Sequence, residues 1–267
     1  MIIIVFIIMA NPINFLNDMK NIDSNYIPGI RDNFIAKIAS EIKENSSVID
    51  ICSGNKPYEK LFKHCKYVSH EFPGNKNIID SFRQETSIEH KKHDIISPID
   101  NIPKPDNSFD FVICTEVFEH IPEPIKAMEE LVRICKPNGK ILITAPFTSG
   151  IHQEPYHFYS GFSPFFYNFL KDKFNLKILQ FKSQGDMFLL NHQEIGRCLS
   201  HKPSAIIKTQ DNLNILNLCG SIITKYLLNL SSYYSNSINN TNTPENMMNV
   251  TPGNRFTLGY CVLYSKM

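Results

Sequence analysis

Acidic residues lie in or at the end of apolar runs that have the composition of buried β-strands. The run Val48–Cys52 (VIDIC) contains Asp50 and leads into a turn at Gly54, where backbone amides can come close to a ligand. A second run ends in Glu71, about twenty residues further on, which is the spacing of a carboxylate that accepts hydrogen bonds from two ribose hydroxyls. The two pieces together predict a site for a ligand that contains a ribose.

Histidine and tyrosine are concentrated in residues 145–159 (APFTSGIHQEPYHFY), after another apolar run. His152 and His157 could act as general bases toward a hydroxyl or an amine, because the pKa of histidine lies near neutrality. His120, in the segment after a further apolar run, is a third candidate, with a structural hydrogen bond to Glu119 or to the backbone as its alternative. Two alternatives remain: a packed aromatic lid, and metal binding by His152, Glu154 and His157, whose spacing is not that of HExxH. We predict no metal centre from the sequence.

The elements that position these residues alternate between strand and helix patterns along the first two thirds of the chain. The predicted strands are 47–52, 66–71, 109–115, 140–147, 176–181 and 256–264. The predicted helices are 31–43, 124–135, 191–200 and 205–230, with a helical turn at 58–64. This alternation predicts an α/β fold, a doubly wound and mostly parallel sheet with helices on both faces.

Three regions follow from these patterns. We predict an N-terminal extension at 1–28, a main domain at 29–186 and 255–267, and an insert at 187–254 that is helical first and then rich in Asn and Ser. The apolar stripe of the insert could form a homodimer contact, a substrate lid, a membrane-surface contact or ordinary packing.

The N-terminus carries an apolar run, Ile2–Met9, that is shorter than the roughly 20 residues of a bilayer span. It also lacks the basic region and the cleavage site of a secretory signal. It is a packing or membrane-touching segment, an extra strand, or an over-extended start with initiation at Met9 or Met19.

Composition restricts the classes of function. The formal net charge of +1 provides no overall field that would attract nucleic acid, so we expect no nucleic-acid partner. The 7 cysteines contain no CxxC pair, which argues against a disulfide framework or a zinc cluster and favours reduced thiols in the cytoplasm. A length of 267 residues allows one large domain, or one domain with an appendage.

Several pieces in a fixed order carry a resemblance to a known family. They are VIDICSGNKPY, KYVSHE, HDI, FDFVICTEVFEHIPEP and ICKPNGKILITAP. In this order they resemble the class I S-adenosylmethionine-dependent methyltransferases, and are similar to those of polysaccharide clusters, over residues 47–181. The resemblance implies a seven-stranded sheet whose last strand is antiparallel, with the helical insert before that strand.

The resemblance also implies which residues bind S-adenosylmethionine. Asp50 would hold the methionine amino group, Glu71 the ribose diol, and Asp94 the adenine amino group. The backbone of Ile95 would donate to the adenine ring, and Gly54 would allow close backbone approach. The remaining predicted cofactor contacts are Cys52, Ser53, Tyr58, Cys114, Thr115 and Glu116.

The implied activity is methyl transfer to a small-molecule or glycan-type acceptor, on oxygen or nitrogen. One departure concerns the first motif, where the three usual glycine positions are Cys52, Gly54 and Lys56. Cys52 puts a side chain where the backbone bends sharply, which motivates the alternative of a non-catalytic binding or scaffold homologue. A NAD-dependent Rossmann oxidoreductase is a further alternative, but it requires GxGxxG, which the turn lacks.

Overall fold

The computed structural model describes residues 26–73, 92–200, 220–231 and 257–267, with the exception of residues 221, 224 and 228. The chain divides into two compact units. The described part of the larger unit is 31–73, 92–184 and 258–267, and that of the smaller unit is 26–30, 185–200, 220–231 and 257. The predicted N-terminal extension lies almost wholly outside the described residues, as does much of the predicted insert. The three predicted regions and the dimer contact stay predictions.

The strands are β1 (Ser47–Ile51), β2 (Lys66–Glu71), β3 (Ile95–Ile96), β4 (Phe109–Thr115), β5 (Cys135–Pro146), β6 (Leu176–Ser183) and β7 (Gly259–Lys266). Within the described residues they form one sheet of seven strands in the order β3-β2-β1-β4-β5-β7-β6. The pairs from β3 to β5 are parallel, while β7 runs antiparallel to both β5 and β6. The predicted fold class, with seven strands and an antiparallel last strand, is confirmed.

The helices are α1 (Tyr26–Ser40), α2 (Pro124–Ile134), α3 (Pro164–Lys173) and α4 (Met187–Ser200), with 3₁₀ turns at Glu59–Phe62 and Phe118–His120. Helix α2 begins with proline at its first position, where the missing amide hydrogen costs nothing. Its buried residues Ala127, Leu131 and Ile134 recur at helical spacing and form one apolar face. Helix α1 begins before the predicted Arg31 and ends before the predicted Lys43.

Apolar side chains cover both faces of the sheet. One core contains Ile49, Ile51, Val112 and Ile143 of the strands with Ala127, Met128 and Leu131 of α2. The other contains Val48, Phe111, Ile113 and Leu142 with Phe34, Ile35 and Ile38 of α1. Because successive residues of a strand point to opposite faces, the two cores lie on opposite sides of the sheet. This arrangement confirms the prediction of helices on both faces.

The start of β5 differs from the prediction. The predicted strand begins at residue 140, but β5 begins at Cys135, with a register irregularity between Phe109 and Phe111 of β4. A Cβ at Gly139 would lie 2.7 Å from the Cys135 sulfur and 2.8 Å from the Lys136 carbonyl oxygen. Glycine therefore allows the close backbone approach that this irregular turn requires.

The last strand begins and ends later than predicted, at Gly259–Lys266 instead of 256–264. No helix among the residues that the model describes is long and apolar enough to cross a bilayer.

Candidate functional site

The predicted acids gather where β1, β2 and β4 end. These strands are parallel neighbours, so their carboxyl ends share one edge of the sheet. Asp50 is opposite Ser69 of β2 and Ile113 of β4, while Glu71 ends β2 and Glu116 follows β4.

Asp50 is a buried carboxylate, with 1% of its surface exposed. The hydroxyl of Tyr67 donates a hydrogen bond to its Oδ2 at 2.7 Å. Burial raises the pKa of Asp50 to about 7, although the hydrogen bond from Tyr67 acts in the opposite direction. A cation that approached this carboxyl would favour its ionised form and so compensate for the lost solvation.

The turn after β1 has left-handed backbone at three residues, with φ of 49° at Cys52, 51° at Gly54 and 56° at Lys56. This conformation is ordinary for glycine and unfavourable for a residue with a Cβ. Cys52 nevertheless adopts it, so the bend expected of glycine is kept. The predicted strand ended at Cys52, but β1 ends at Ile51 and Cys52 is already part of the turn.

The thiol of Cys52 is directed toward His70. Its sulfur lies 3.9 Å from Nδ1 of His70, and the backbone amide of Cys52 donates to the same nitrogen at 3.3 Å. The Ser53 side chain is also turned inward, since its hydroxyl donates to the His70 carbonyl at 3.3 Å. The buried His70 therefore holds Cys52 and Ser53 of the predicted cofactor turn through hydrogen bonds. The sequence analysis did not identify it as a site residue.

Glu71 joins the end of β2 to this turn. The Gly54 amide donates to its Oε2 at 2.9 Å, and the Phe72 amide donates to its Oε1 at the same distance. A Cβ at Gly54 would have nothing within 4 Å, so the space beside this backbone is open. Each carboxylate oxygen has two lone pairs and can accept a further hydrogen bond from a ligand hydroxyl.

Asp94 is exposed, and its side chain connects the segment before β3 to Ser69 of β2. Its Oδ2 accepts hydrogen bonds from the Ser69 amide at 2.8 Å and from the Ser69 hydroxyl at 2.6 Å. These bonds lower the pKa of Asp94. Ile95 is buried and pairs with His70 in the sheet. The predicted adenine contacts are thus held beside the end of β2.

Glu116 lies in a polar network just past β4 and has a φ of 53°. Its Oε1 accepts from the Thr144 hydroxyl at 2.8 Å and from the Gln184 amide at 3.4 Å. Its Oε2 lies 3.5 Å from a guanidinium nitrogen of Arg31. Arg31 is a charged neighbour that the sequence analysis missed, because only the folded chain brings α1 beside β4.

Three other predicted cofactor contacts are more enclosed. Cys114 is fully buried within β4, and Thr115, the last residue of that strand, is half-buried. Tyr58 is buried, and its hydroxyl donates to Oδ1 of Asp32 at 2.9 Å. Its hydroxyl therefore bonds to α1 in this structure.

The three histidines predicted for the acceptor side lie together. The ring centroids of His120 and His152 are 4.9 Å apart, those of His152 and His157 are 4.7 Å apart, and those of His120 and His157 are 6.0 Å apart. The amides of Phe158 and Tyr159 donate to the Glu119 carbonyl, which fixes the loop after β5 against the segment after β4. We call His120, His152 and His157 the histidine cluster.

The histidine loop also reaches the cofactor acids. The rings of Phe72 and Tyr156 are 5.9 Å apart in an edge-to-face contact. Phe72 directly follows Glu71, so the loop that carries the histidine cluster touches the end of β2.

Glu119 was considered in the sequence only as a hydrogen-bond partner of His120, not as a site residue. It is buried, and its Oε2 has no hydrogen-bond partner among the described residues. Burial and then the nearby Glu116 raise the pKa of Glu119. The position of this acid just past an apolar run is visible in the sequence, but its burial depends on the fold.

A separate cleft of about 530 Å³ lies beside the start of α2. Its lining includes Pro122, Ile125, Tyr159, Phe162 and Phe166. None of its lining residues belongs to the predicted cofactor set, so this cleft is not the candidate cofactor site.

A family model and several known proteins match this chain. Residues 25–177 match the family model described as a methyltransferase domain. A demethylmenaquinone methyltransferase of Staphylococcus haemolyticus (strain JCSC1435) is 27% identical over 126 residues, which cover 45% of this chain and 53% of that protein. A ubiquinone/menaquinone biosynthesis C-methyltransferase of Rickettsia prowazekii (strain Madrid E) is 26% identical over 171 residues, which cover 58% of this chain and 65% of that protein.

The chain therefore spans 53% of the first of these relatives and 65% of the second. Among solved structures, a SAM-dependent methyltransferase from Aquifex aeolicus aligns with a TM-score of 0.40 at 21% identity, covering 55% of this chain and 81% of that one.

Proposed function

The chain belongs to the methyltransferase domain family, and we propose that it transfers the methyl group of S-adenosylmethionine to a small-molecule or glycan-type acceptor. The observation that carries this proposal is the hydrogen bond between the Gly54 amide and Glu71, close to the buried Asp50. It brings a glycine turn and two carboxylates together at the carboxyl ends of neighbouring parallel strands, where ligands of open α/β sheets bind.

The residues present fit this cofactor on two grounds. The space beside Gly54 is open, so a ligand can lie against the backbone there. S-adenosylmethionine carries a sulfonium and an ammonium, and burying such charges requires acids nearby. Asp50, Glu71 and Glu116 provide them at a single edge of the sheet.

Each of these residues then has a role. Asp50 binds the ammonium, Glu71 accepts from the ribose hydroxyls, and Asp94 with Ile95 borders the adenine. When bound, the cofactor supplies a methyl group activated by positively charged sulfur. The backbone of residues 114–116 borders the sulfonium.

The histidine cluster is the proposed acceptor side. His120, His152 and His157 are candidate proton acceptors for an attacking hydroxyl or amine. Tyr156, which touches Phe72, would help to exclude water from the site and to align the acceptor. An acceptor whose nucleophile loses no proton before transfer would need alignment only.

A ring carbon of a quinone precursor is a second acceptor class. It is favoured by the names of the relatives, which are a demethylmenaquinone methyltransferase and a ubiquinone/menaquinone C-methyltransferase. We also propose a cytoplasmic location, supported by the free thiols of Cys52, Cys65, Cys114, Cys135 and Cys261 among the described cysteines.

Calorimetry and a turnover assay test the proposal. Calorimetry should detect binding of S-adenosylmethionine and none of NAD; the reverse result would favour the oxidoreductase. Formation of S-adenosylhomocysteine is then measured with sugars, lipid-linked glycans, amines and quinols as acceptors. Turnover with sugars, glycans or amines supports the first acceptor class, and turnover with quinols alone supports the second. Tight cofactor binding with no turnover across the panel would favour the scaffold alternative.

A further inference from the structure

Glu119, His120 and His152 present three metal-ligand atoms to one another. One carboxylate oxygen and one ring nitrogen from each histidine all lie within 4.8 Å of each other. Glu119 and His120 follow β4, and His152 lies in the loop after β5, so two neighbouring strand ends hold the group together.

Backbone carbonyls orient both imidazole rings. Nδ1 of His120 is bonded to the Tyr156 carbonyl, and Nδ1 of His152 lies 2.9 Å from the Gly150 carbonyl oxygen. Because a carbonyl oxygen only accepts, each Nδ1 carries a hydrogen, and Nε2 of each neutral ring keeps its lone pair. Metal-binding histidines are oriented in this way, with one ring nitrogen bound to a carbonyl and the other free to ligate.

The carboxylate of Glu119 needs a partner that the described residues do not supply. Its Oε1 is 3.7 Å from Nε2 of His120, which is too long for a hydrogen bond, and its Oε2 is buried without one. A buried carboxyl oxygen without a partner is rare in proteins, and a bound cation would satisfy it.

The geometry points to a divalent metal site, and we propose that Glu119, His120 and His152 bind Zn²⁺ through one carboxylate oxygen and two Nε2 atoms. Two imidazoles and one carboxylate are a known ligand set of zinc sites with three protein ligands, which leave a fourth position for water or a substrate oxygen. Calcium and magnesium prefer sites made of oxygen atoms alone.

This ligand set differs from the alternative weighed in the sequence. In that alternative the carboxylate ligand was Glu154, which is exposed. In the structure the carboxylate beside the histidines is that of the buried Glu119. His157 is not one of the three ligands, and its Nε2 lies 3.2 Å from the Ser149 hydroxyl oxygen. The metal site goes beyond the proposed methyl transfer and does not depend on it. With the ion bound, His120 and His152 have no free ring nitrogen, so His157 is the one candidate proton acceptor left in the histidine cluster.

Metal affinity of the full chain tests the proposal directly. The protein is stripped with a chelator, and Zn²⁺ is titrated in competition with a chromophoric chelator. We expect one ion per chain, and a loss of affinity of at least about tenfold in Glu119→Gln and in His152→Asn. Glu154→Gln and His64→Asn are the matched controls, and they should bind as the unchanged chain does.

Co²⁺ substitution identifies the ligands. The absorption of bound Co²⁺ should lack thiolate-to-metal charge transfer, which excludes the cysteines as the source of binding. His152 is only half-buried, so His152→Asn tests the site even where Glu119→Gln lowers the folded yield. Three results would each overturn the proposal: less than one Zn²⁺ bound per chain, thiolate-to-metal bands in the Co²⁺ spectrum, or unchanged Zn²⁺ affinity in His152→Asn. Calorimetry with S-adenosylmethionine on the stripped protein separates this failure from a failure of the proposed function.

Discussion

The imidazole of His70 accepts a hydrogen bond from the backbone amide of Cys52, with 3.3 Å between Nδ1 and the amide nitrogen. Its Nε2 lies 3.0 Å from the Ser97 carbonyl oxygen, so the ring proton is on Nε2 and Nδ1 is the acceptor. Burial lowers the pKa of His70 to about 4, which keeps the ring neutral and this arrangement intact at neutral pH. One buried ring thus connects the turn after β1 to the segment after β3.

Replacing His70 tests this connection. His70→Ala leaves the Cys52 amide and the Ser97 carbonyl without a partner and opens a cavity, so the free energy of unfolding should fall by about 2–4 kcal/mol. Urea denaturation measures it. His64→Ala, at a half-buried histidine whose Nε2 lies 3.1 Å from the Ile42 carbonyl oxygen, is the control and should cost less. Equal losses in the two variants would contradict this role of His70.

The left-handed backbone of Cys52 gives a matched pair of variants. Cys52→Gly and Cys52→Ala both remove the thiol, but only alanine keeps the Cβ that disfavours a φ of 49°. The glycine variant should therefore be more stable than the alanine variant by about 1 kcal/mol, as measured by thermal unfolding. An alanine variant as stable as the glycine variant would show that the turn rearranges.

Cofactor affinity should depend on pH through Asp50. The carboxyl of the free protein titrates near pH 7, and the ammonium of the cofactor favours its ionised form. Binding below pH 7 must therefore release a proton, so affinity should rise by up to about tenfold per pH unit toward pH 7 and then level off. Calorimetry in buffers of different ionisation enthalpy measures the released proton. In Asp50→Asn, which cannot titrate, the same slope would assign the proton to another group.

Asp50 also imposes a pH dependence on the ligand-free fold. Its pKa is raised on folding, so the folded state holds the proton more tightly than the unfolded state does. Its contribution to stability is fully present below the unfolded pKa of about 4 and is lost as the pH rises toward 7. Above pH 7 it adds no further slope.

Removing the carboxylate of Glu71, the predicted ribose-binding residue, should weaken cofactor binding. Glu71→Ala should reduce the affinity for S-adenosylmethionine by about 1–3 kcal/mol, because charge-assisted hydrogen bonds to the ribose are lost, and Asp50→Ala should reduce it similarly. Glu123→Ala, at an exposed acid outside the site, is the control. Calorimetry that found unchanged affinity in both site variants would contradict the proposed cofactor site.

Replacing a residue of the histidine cluster should lower turnover and leave cofactor affinity unchanged. His157→Ala should leave cofactor affinity intact and lower turnover by about 10²–10⁴-fold if this histidine takes a proton from the acceptor. The formation of S-adenosylhomocysteine and calorimetry on the same preparation measure the two quantities. A defect in cofactor binding would remove His157 from the acceptor side.

Strand positions were the most predictable part of the fold. The runs 66–71 and 109–115 both contain aromatic and β-branched residues, which favour strands, and β2 and β4 have these limits. Helix α3 was not predicted, because Phe165 and Phe169 are exposed aromatic residues that hide the usual alternation of apolar and polar faces.

Side-chain contacts between elements could not be predicted. The sequence identifies Asp50 and Glu71 as acids at strand ends, but not that Glu71 bonds to the Gly54 amide. The roles of Glu119 and His70 depend on burial, and that of His70 also depends on partners distant in the chain. Neither property leaves a local pattern. Cys52 was expected to disturb the turn, yet the backbone bend is kept because the thiol turns toward His70.

Because β7 lies between β5 and β6, the sheet can be completed only after β7 has been synthesised. All predicted contacts to the cofactor lie in or near β1 to β4, so that half can close through pairings between strands that are near one another in the sequence. Within the described residues, β6 pairs only with β7, which arrives much later during synthesis on the ribosome. Until then β5 is an open edge that another chain could pair with, and chaperone protection of a nascent chain would be needed most at this stage.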